Sequence, residues 1–276
     1  MNFNPEKYKD FYFETAKKLL LTPSPSGYYK EVMQVVKDYA EALGADFSMT
    51  RKGCAILSVK GKDHSRTLGL SAHCDTLGAM IRGISSNGEI TFSKVGGPQL
   101  PTLDGEYCTI ITRGGKRYTG TFLSKSPSSH VYPDAATRPR DDGNMYVRLD
   151  EVVKSAKDVR ALGIESGDYI CIDPKTTVTE SGFLKSRFID DKASVACFIT
   201  LLKIMKEERL TPEYDVKMLI TMYEEVGHGA AYVPDGLYTM LAVDMGCVGT
   251  DLNCTEYDVS VCAKDSHGPY DYALTS

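Results

Sequence analysis

Four short stretches of this sequence bring acidic and imidazole side chains together at spacings that chemistry can use. The first is Ala72-His73-Cys74-Asp75. In an extended segment, residues two apart share a face, so His73 and Asp75 stand side by side. An imidazole that binds a metal commonly gives its second N–H to a carboxylate, and Asp75 is placed for that. The second is Phe188-Ile189-Asp190-Asp191-Lys192 at the start of an apolar run. Acidic residues there are ordinary helix complementation, but two in succession exceed what a cap requires. The third is Tyr223-Glu224-Glu225-Val226-Gly227-His228-Gly229, directly after the apolar run Val216-Lys217-Met218-Leu219-Ile220. The fourth is Ala242-Val243-Asp244-Met245-Gly246, again closing an apolar run. Together they form a donor set of nitrogen and oxygen, suited to zinc, cobalt or manganese. Two such ions sharing a carboxylate and a water make a hydrolytic clamp, and a free carboxylate takes the proton. Either Glu224 or Glu225 is placed to be that base, with the other a ligand. His228, between two glycines, reads as a loop residue.

These groups must be held by strand ends and helix starts. Residues 5–21 have apolar side chains at helical spacing, and Pro5 suits a first turn. Thr22-Pro23-Ser24-Pro25-Ser26-Gly27 breaks that helix. A second helix runs over about 28–43 and stops at Gly44. A hairpin turning near Lys52-Gly53 follows, and then a strand over 67–72 that ends on His73. Between 76 and 178 the texture changes to short strands and Gly or Pro turns, with strands expected at 89–95, 107–112, 118–123 and 168–172 and one helix near 150–161. This reads as a small β-barrel or sandwich inserted as a unit. Residues 191–209 read as a buried helix, apolar on most faces. Strands follow at 214–223, 237–243 and 257–263. Ligand sites in open α/β sheets lie at the carboxyl ends of strands, where these carboxylates fall. The fold class is α/β: a mixed-sheet α/β/α domain formed by 1–75 and 179–276, with the β-rich insertion at 76–178.

Composition narrows the function. The chain has 276 residues, with 37 acidic and 32 basic side chains for a net charge of −5. The bases are scattered, which argues against nucleic acid. No apolar run approaches the ~20 residues of a membrane span. The first thirty residues hold no signal-peptide core, so the expected location is cytoplasmic. None of the eight cysteines forms a Cys-x-x-Cys pair. They are expected to be reduced and, in runs such as Ala196-Cys197-Phe198, to act as small hydrophobes. Any metal must come from His, Asp and Glu.

With these motifs in this order, and a β insertion between the first and second, the sequence resembles the cytosolic dinuclear metallo-aminopeptidases. That family includes glutamyl aminopeptidases and TET particles, and some members carry the label endoglucanase. The resemblance covers nearly the whole chain. It implies a zinc-exopeptidase-type fold and two divalent ions, zinc foremost, with cobalt or manganese as alternatives. It implies that His73 is a ligand with Asp75 behind it, and that Asp190 is the bridging carboxylate, joined to Asp191 by a cis peptide bond. It further implies Glu224 as general base, Glu225 as a ligand of the second ion and Asp244 as the remaining ligand of the first. The substrates would be peptides, cleaved at the N-terminal residue. The 76–178 insertion would mediate self-association.

One departure from the family pattern stands out. The final histidine ligand of the second ion lies, in the family, well past the segment around Tyr270, and this sequence stops at Ser276. His267 does not match the missing position. An alternative expectation is therefore an impaired chain that folds and assembles without a complete second metal site. A third is a polysaccharide hydrolase. Glycosidases flank a sugar with two carboxylates, usually beside aromatic platforms, and this chain has no Trp.

Overall fold

The computed structural model describes residues 4–229, 231–265 and 268–276. After a 3-10 turn at Pro5–Tyr8, helix α1 (Lys9–Leu21) buries Ala16, Leu19 and Leu20. Helix α2 (Lys30–Leu43) buries Val32, Met33, Val36 and Ala40, one stripe at helical spacing. It ends at Gly44, whose φ of 84° is the left-handed geometry glycine adopts freely. Strands β1 (Asp46–Met49) and β2 (Ala55–Val59) form the hairpin. Strand β3 (Asp63–His73) leads to the first motif.

Six strands then close a barrel: β4 (Gly78–Ile84), β5 (Ile90–Val95), β6 (Tyr107–Ile111), β7 (Arg117–Ser124), β8 (Met145–Leu149) and β9 (Tyr169–Ile172). Their order around it is β4-β5-β8-β7-β6-β9. Phe92 and Phe122 meet edge to face inside it, centroids 5.1 Å apart, the geometry aromatic quadrupoles favour. The short helix α3 (Ala156–Ala161) buries Val159 in the same core. A two-stranded ribbon, β10 (Thr177–Val178) with β11 (Leu184–Lys185), leads back to the sheet.

Helix α4 (Ile189–Glu207), strand β12 (Tyr214–Thr221) and strand β13 (Thr239–Ala242) complete the second unit. The sheet order is β1-β2-β12-β3-β13. β12 pairs antiparallel with β2 and parallel with β3, and β13 is parallel to β3, so the sheet is mixed. The last four residues of β12 are all buried, as are Ala72 and His73 at the end of β3. The sheet is thus driest at the carboxyl ends where the acidic motifs begin. Among the described residues, no helix is long and apolar enough to cross a membrane.

Several local expectations change. Strands β4 and β8 add to the expected set, β8 with Met145, Val147 and Leu149 buried in regular alternation, and α3 is half the expected length. Residues 257–263 form no strand, and Tyr257, Val259 and Val261 lie open to solvent. All eight cysteines are free, but only Cys54, Cys74, Cys108 and Cys171 are buried; Cys197 and Cys262 are exposed in spite of their apolar neighbours. Helix α4 correspondingly has a solvent side, with Cys197 and Leu201 on it.

Candidate metal centre

Sheet register assembles the site. His73 pairs with Thr221 across β3 and β12, and the amide of Cys74 donates to the Thr221 carbonyl at 3.0 Å. Three residues past Thr221 comes Glu224. On the other side, Ala242 pairs with Ser71, and the Val243 amide donates to the Ser71 carbonyl at 2.7 Å. That sets Asp244 beside His73. The start of α4 supplies the remaining pair. Phe188 takes a left-handed backbone (φ 65°), uncommon for an aromatic residue and sustained where packing fixes it. Its ring packs against the barrel core. Asp190 and Asp191 are joined by a cis peptide bond and depart from helical φ and ψ, and both carboxylates contact His73.

His73 is the hub of short contacts. Its Nε2 lies 3.1 Å from Asp190 Oδ1, 3.7 Å from Glu224 Oε2 and 3.9 Å from Asp244 Oδ2. Its Nδ1 lies 3.0 Å from the Asp75 carbonyl and 3.4 Å from Asp75 Oδ1. Its backbone N–H donates to Asp191 Oδ2 at 3.0 Å. His73 and Asp75 are buried, whereas the side chains of Asp190, Glu224 and Asp244 keep 38–50 % of their surface exposed. The cluster therefore opens to solvent on one side, as a site for an external substrate must.

Asp75 is a second hub. Its Oδ1 accepts the Glu224 N–H at 3.1 Å, and its Oδ2 accepts the Glu225 N–H at 3.2 Å and the Ser26 hydroxyl at 2.5 Å. One buried carboxylate thus fixes the backbone of both glutamates. These follow β12 in a single 3-10 turn, Glu224–Val226, rather than in an extended segment that would send them to opposite faces.

Six carboxylates (Asp75, Asp190, Asp191, Glu224, Glu225 and Asp244) around one imidazole leave an excess of negative charge. Burial pushes Asp191 up to about 7, with Asp244 adding repulsion. Burial likewise pushes Glu225 up to about 7, Asp190 and Asp75 adding like charge, and it raises Glu224 and Asp244. The hydrogen bond from His73 holds Asp190 below its ordinary value. For His73 itself burial favours the neutral ring, but hydrogen bonds to Asp190 and Asp75 outweigh it and lift the imidazole to about 11. The whole field favours a cation at this point, which is the electrostatic signature of a metal-binding donor set.

Donor atoms of His73, Asp191 and Asp244 lie within 4.8 Å of one another, close enough to share one ion. Asp190 reaches the same imidazole from the outer side. His73, Asp75, Asp190, Glu224 and Asp244 are thus brought together as the sequence suggests, and the Glu225 amide is anchored beside them. Asp191 is a residue that sequence reasoning left without a role. Ser26 and Lys192 were missed altogether. Lys192 is fully buried, and its Nζ donates to the carbonyls of Leu19 (2.9 Å) and Thr22 (2.7 Å). A lysine between paired aspartates and an apolar run was the available signal. His228 is an exposed loop residue, 3.1 Å from Lys52 Nζ and stacked on Tyr223, apart from the cluster. His267 lies outside the described residues.

A mixed sheet thus carries a carboxylate-rich cluster at its strand ends, with a closed barrel spliced in after His73. The profile of the M42 glutamyl aminopeptidases matches residues 53–276, and the chain belongs to that family. It is 41% identical over 262 residues to "Putative aminopeptidase YhfE" of Bacillus subtilis (strain 168), an alignment covering 95% of this chain and 76% of that protein. It is 23% identical over 225 residues to glutamyl aminopeptidase of Lactococcus lactis subsp. cremoris, covering 80% of this chain and 62% of that one. Among solved structures, the TET aminopeptidase from a marine-sediment thaumarchaeon superposes with a TM-score of 0.78 at 25% identity, over 89% of this chain and 68% of that chain. The chain thus spans between three fifths and about three quarters of the length of these relatives.

Proposed function

We propose that this chain is a metal-dependent aminopeptidase that releases N-terminal residues from peptides. The observation that carries the reading is the convergence of Asp190, Glu224 and Asp244 on one face of His73, backed by a carboxylate that fixes both glutamate amides. His73, Asp190 and Asp244 would hold one ion, Asp190 and Glu225 a second, and Asp191 stands close enough to assist. Zinc, cobalt or manganese suits this set of nitrogen and oxygen donors. When bound, two such ions acidify a water and polarise the scissile carbonyl.

Glu224 is the general base in this reading. It is half exposed at the open side of the cluster, so it reaches a water there, and its raised pKa brings it nearer the operating pH at which proton transfer is efficient. Asp75 holds the imidazole and both glutamate amides, so it orients the machinery without contacting substrate. Residues 1–75 and 179–276 make the catalytic unit. Residues 76–178, around the closed barrel, serve self-association, a reading supported by a related structure described as a dodecamer.

The test is metal content per chain together with hydrolysis of a panel of aminoacyl-p-nitroanilides. Two ions per chain and chelator-sensitive turnover are expected. Turnover that survives complete removal of metal would refute the assignment. A second reading is favoured by one observation: among the described residues, His73 is the only imidazole in the cluster. On that reading a single ion is held well and turnover is low, and stoichiometry separates the two.

A further inference from the structure

The break after α1, residues 22–27, is more than a connector. It lies as a strap across the ends of β3 and β12. Ser24 Oγ donates to the Cys74 carbonyl at 2.7 Å, the Thr76 amide donates to the Ser24 carbonyl at 2.9 Å, and the Ser26 amide donates to the Thr76 carbonyl at 3.2 Å. Pro25 bridges to Thr76, and the Gly27 amide reaches the Met222 carbonyl at 3.4 Å. The start of the strap is held by Lys192, whose buried ammonium grips the Thr22 carbonyl. Its end is held by the barrel, because the hydroxyl of Tyr169 on β9 donates to the Ser26 carbonyl at 3.3 Å. Gly27 (φ 92°) is needed there, since a Cβ would stand 2.6 Å from that hydroxyl oxygen.

All these anchors fix one side chain. Ser26, itself buried, donates its hydroxyl to Asp75 Oδ2 at 2.5 Å, the shortest of the bonds that hold Asp75. We infer that Ser26 is a positioning residue of the centre, setting the orientation of Asp75 and, through it, the backbone of Glu224 and Glu225. The inference rests on the reading of this cluster as metal-ligating. Without the hydroxyl, Oδ2 keeps only the Glu225 amide, and the carboxylate can rotate away from the pair of amides it aligns. Groups that orient metal ligands in this way typically change metal affinity or activity 10–100-fold when removed. The strap also joins β9 to the centre by a short chain of bonds, Tyr169 to Ser26 to Asp75.

The test is a double-mutant cycle of Ser26→Ala and Asp75→Asn, read by Zn2+ affinity in competition with a chromophoric chelator and by urea denaturation of the metal-free chain. Ser26→Ala is expected to weaken zinc binding 10–100-fold and to lower kcat with KM changed less than threefold. In the Asp75→Asn background the same change is expected to cost less than threefold, because interactions in one network are not additive. Zinc affinity equal to that of the unmodified chain, or a loss that adds in full to Asp75→Asn, would overturn the inference. Ser26→Cys, with similar volume and a weak S–H donor, answers the same question if Ser26→Ala fails to fold. Failure of the unmodified chain to hydrolyse any aminoacyl-p-nitroanilide would count against the peptidase reading alone, because the zinc and urea cycles do not depend on turnover.

Discussion

Asp75→Asn is the most informative single change, because its effect follows from counting donors. The carboxylate accepts from Glu224 N–H on one oxygen and from Glu225 N–H and Ser26 Oγ on the other. An asparagine keeps the shape but replaces one acceptor with an NH2. If the amide nitrogen faces Ser26, the hydroxyl can turn and accept, and the Glu225 N–H is left without a partner. If it faces the other way, the Glu224 N–H is orphaned. Either rotamer leaves one buried backbone donor unpaired, a cost of about 1–3 kcal/mol. The surviving bonds also lose their charged acceptor, a further ~1 kcal/mol. Against this, removing a negative charge relieves repulsion on Glu224 and Glu225. That relief is the smaller effect near neutrality, where Glu225 can already shed part of its charge by taking a proton. The expected result is a metal-free chain less stable by roughly 1–3 kcal/mol in urea denaturation and zinc binding weakened about 10–100-fold. A variant within about 0.5 kcal/mol of the unmodified chain, a change typical of a neutral surface site, with unchanged zinc affinity, would refute Asp75 as the hub.

Further predictions concern protons, the base and the metal. Asp191 and Glu225 are raised to about 7 and His73 to about 11 in the folded chain. Each therefore binds more protons folded than unfolded, and the stability of the metal-free chain falls as pH rises, first through the carboxyls up to about 7 and then through His73. Zinc displaces those protons, so its affinity climbs with pH; a metal-free urea midpoint that increases from pH 5 to 8 would contradict the pKa directions. Glu224→Gln is expected to retain zinc while losing about 10²–10⁴-fold in kcat, the usual contribution of a general base; kcat within tenfold of the unmodified chain would remove Glu224 from that role. A chelator should abolish peptide hydrolysis, whereas cellulose hydrolysis persisting in excess chelator would restore the polysaccharide reading.

The candidate residues were legible because they flank apolar runs: His73, Glu224 and Asp244 follow strands and Asp190 precedes a helix, and strand ends are where α/β sheets present side chains. His73, Glu224 and Asp244 needed only the right strand order to meet. Asp191 was less legible, since its direction depends on the non-helical turn at Ile189–Asp191, a local geometry that helical periodicity hides. Ser26 was invisible for a different reason: its partner lies 49 residues away, and a Thr-Pro-Ser-Pro-Ser-Gly stretch signals only a break. The barrel was legible as a texture of short strands and turns; β4, with Gly78 and Gly83 in it, was not, whereas the alternation of Met145, Val147 and Leu149 in β8 was there to be read. The reverse failure is instructive. Tyr257, Val259 and Val261 alternate as a strand should, yet they are 72–94 % exposed, and alternation without a partner edge makes no ladder.

Strands β4 to β9 close the barrel, but its seam between β5 and β8 is narrow, a single pair of Ile90 with Val147. The loops around it carry exposed apolar residues, Val131 and Val152 among them. Among the described residues, the outer strands of the five-stranded sheet are β1 and β13. Two residues beyond β13 stands Asp244, half open to water. Any strand that zipped onto that edge would drain solvent from Asp244 and strengthen every charge interaction around it.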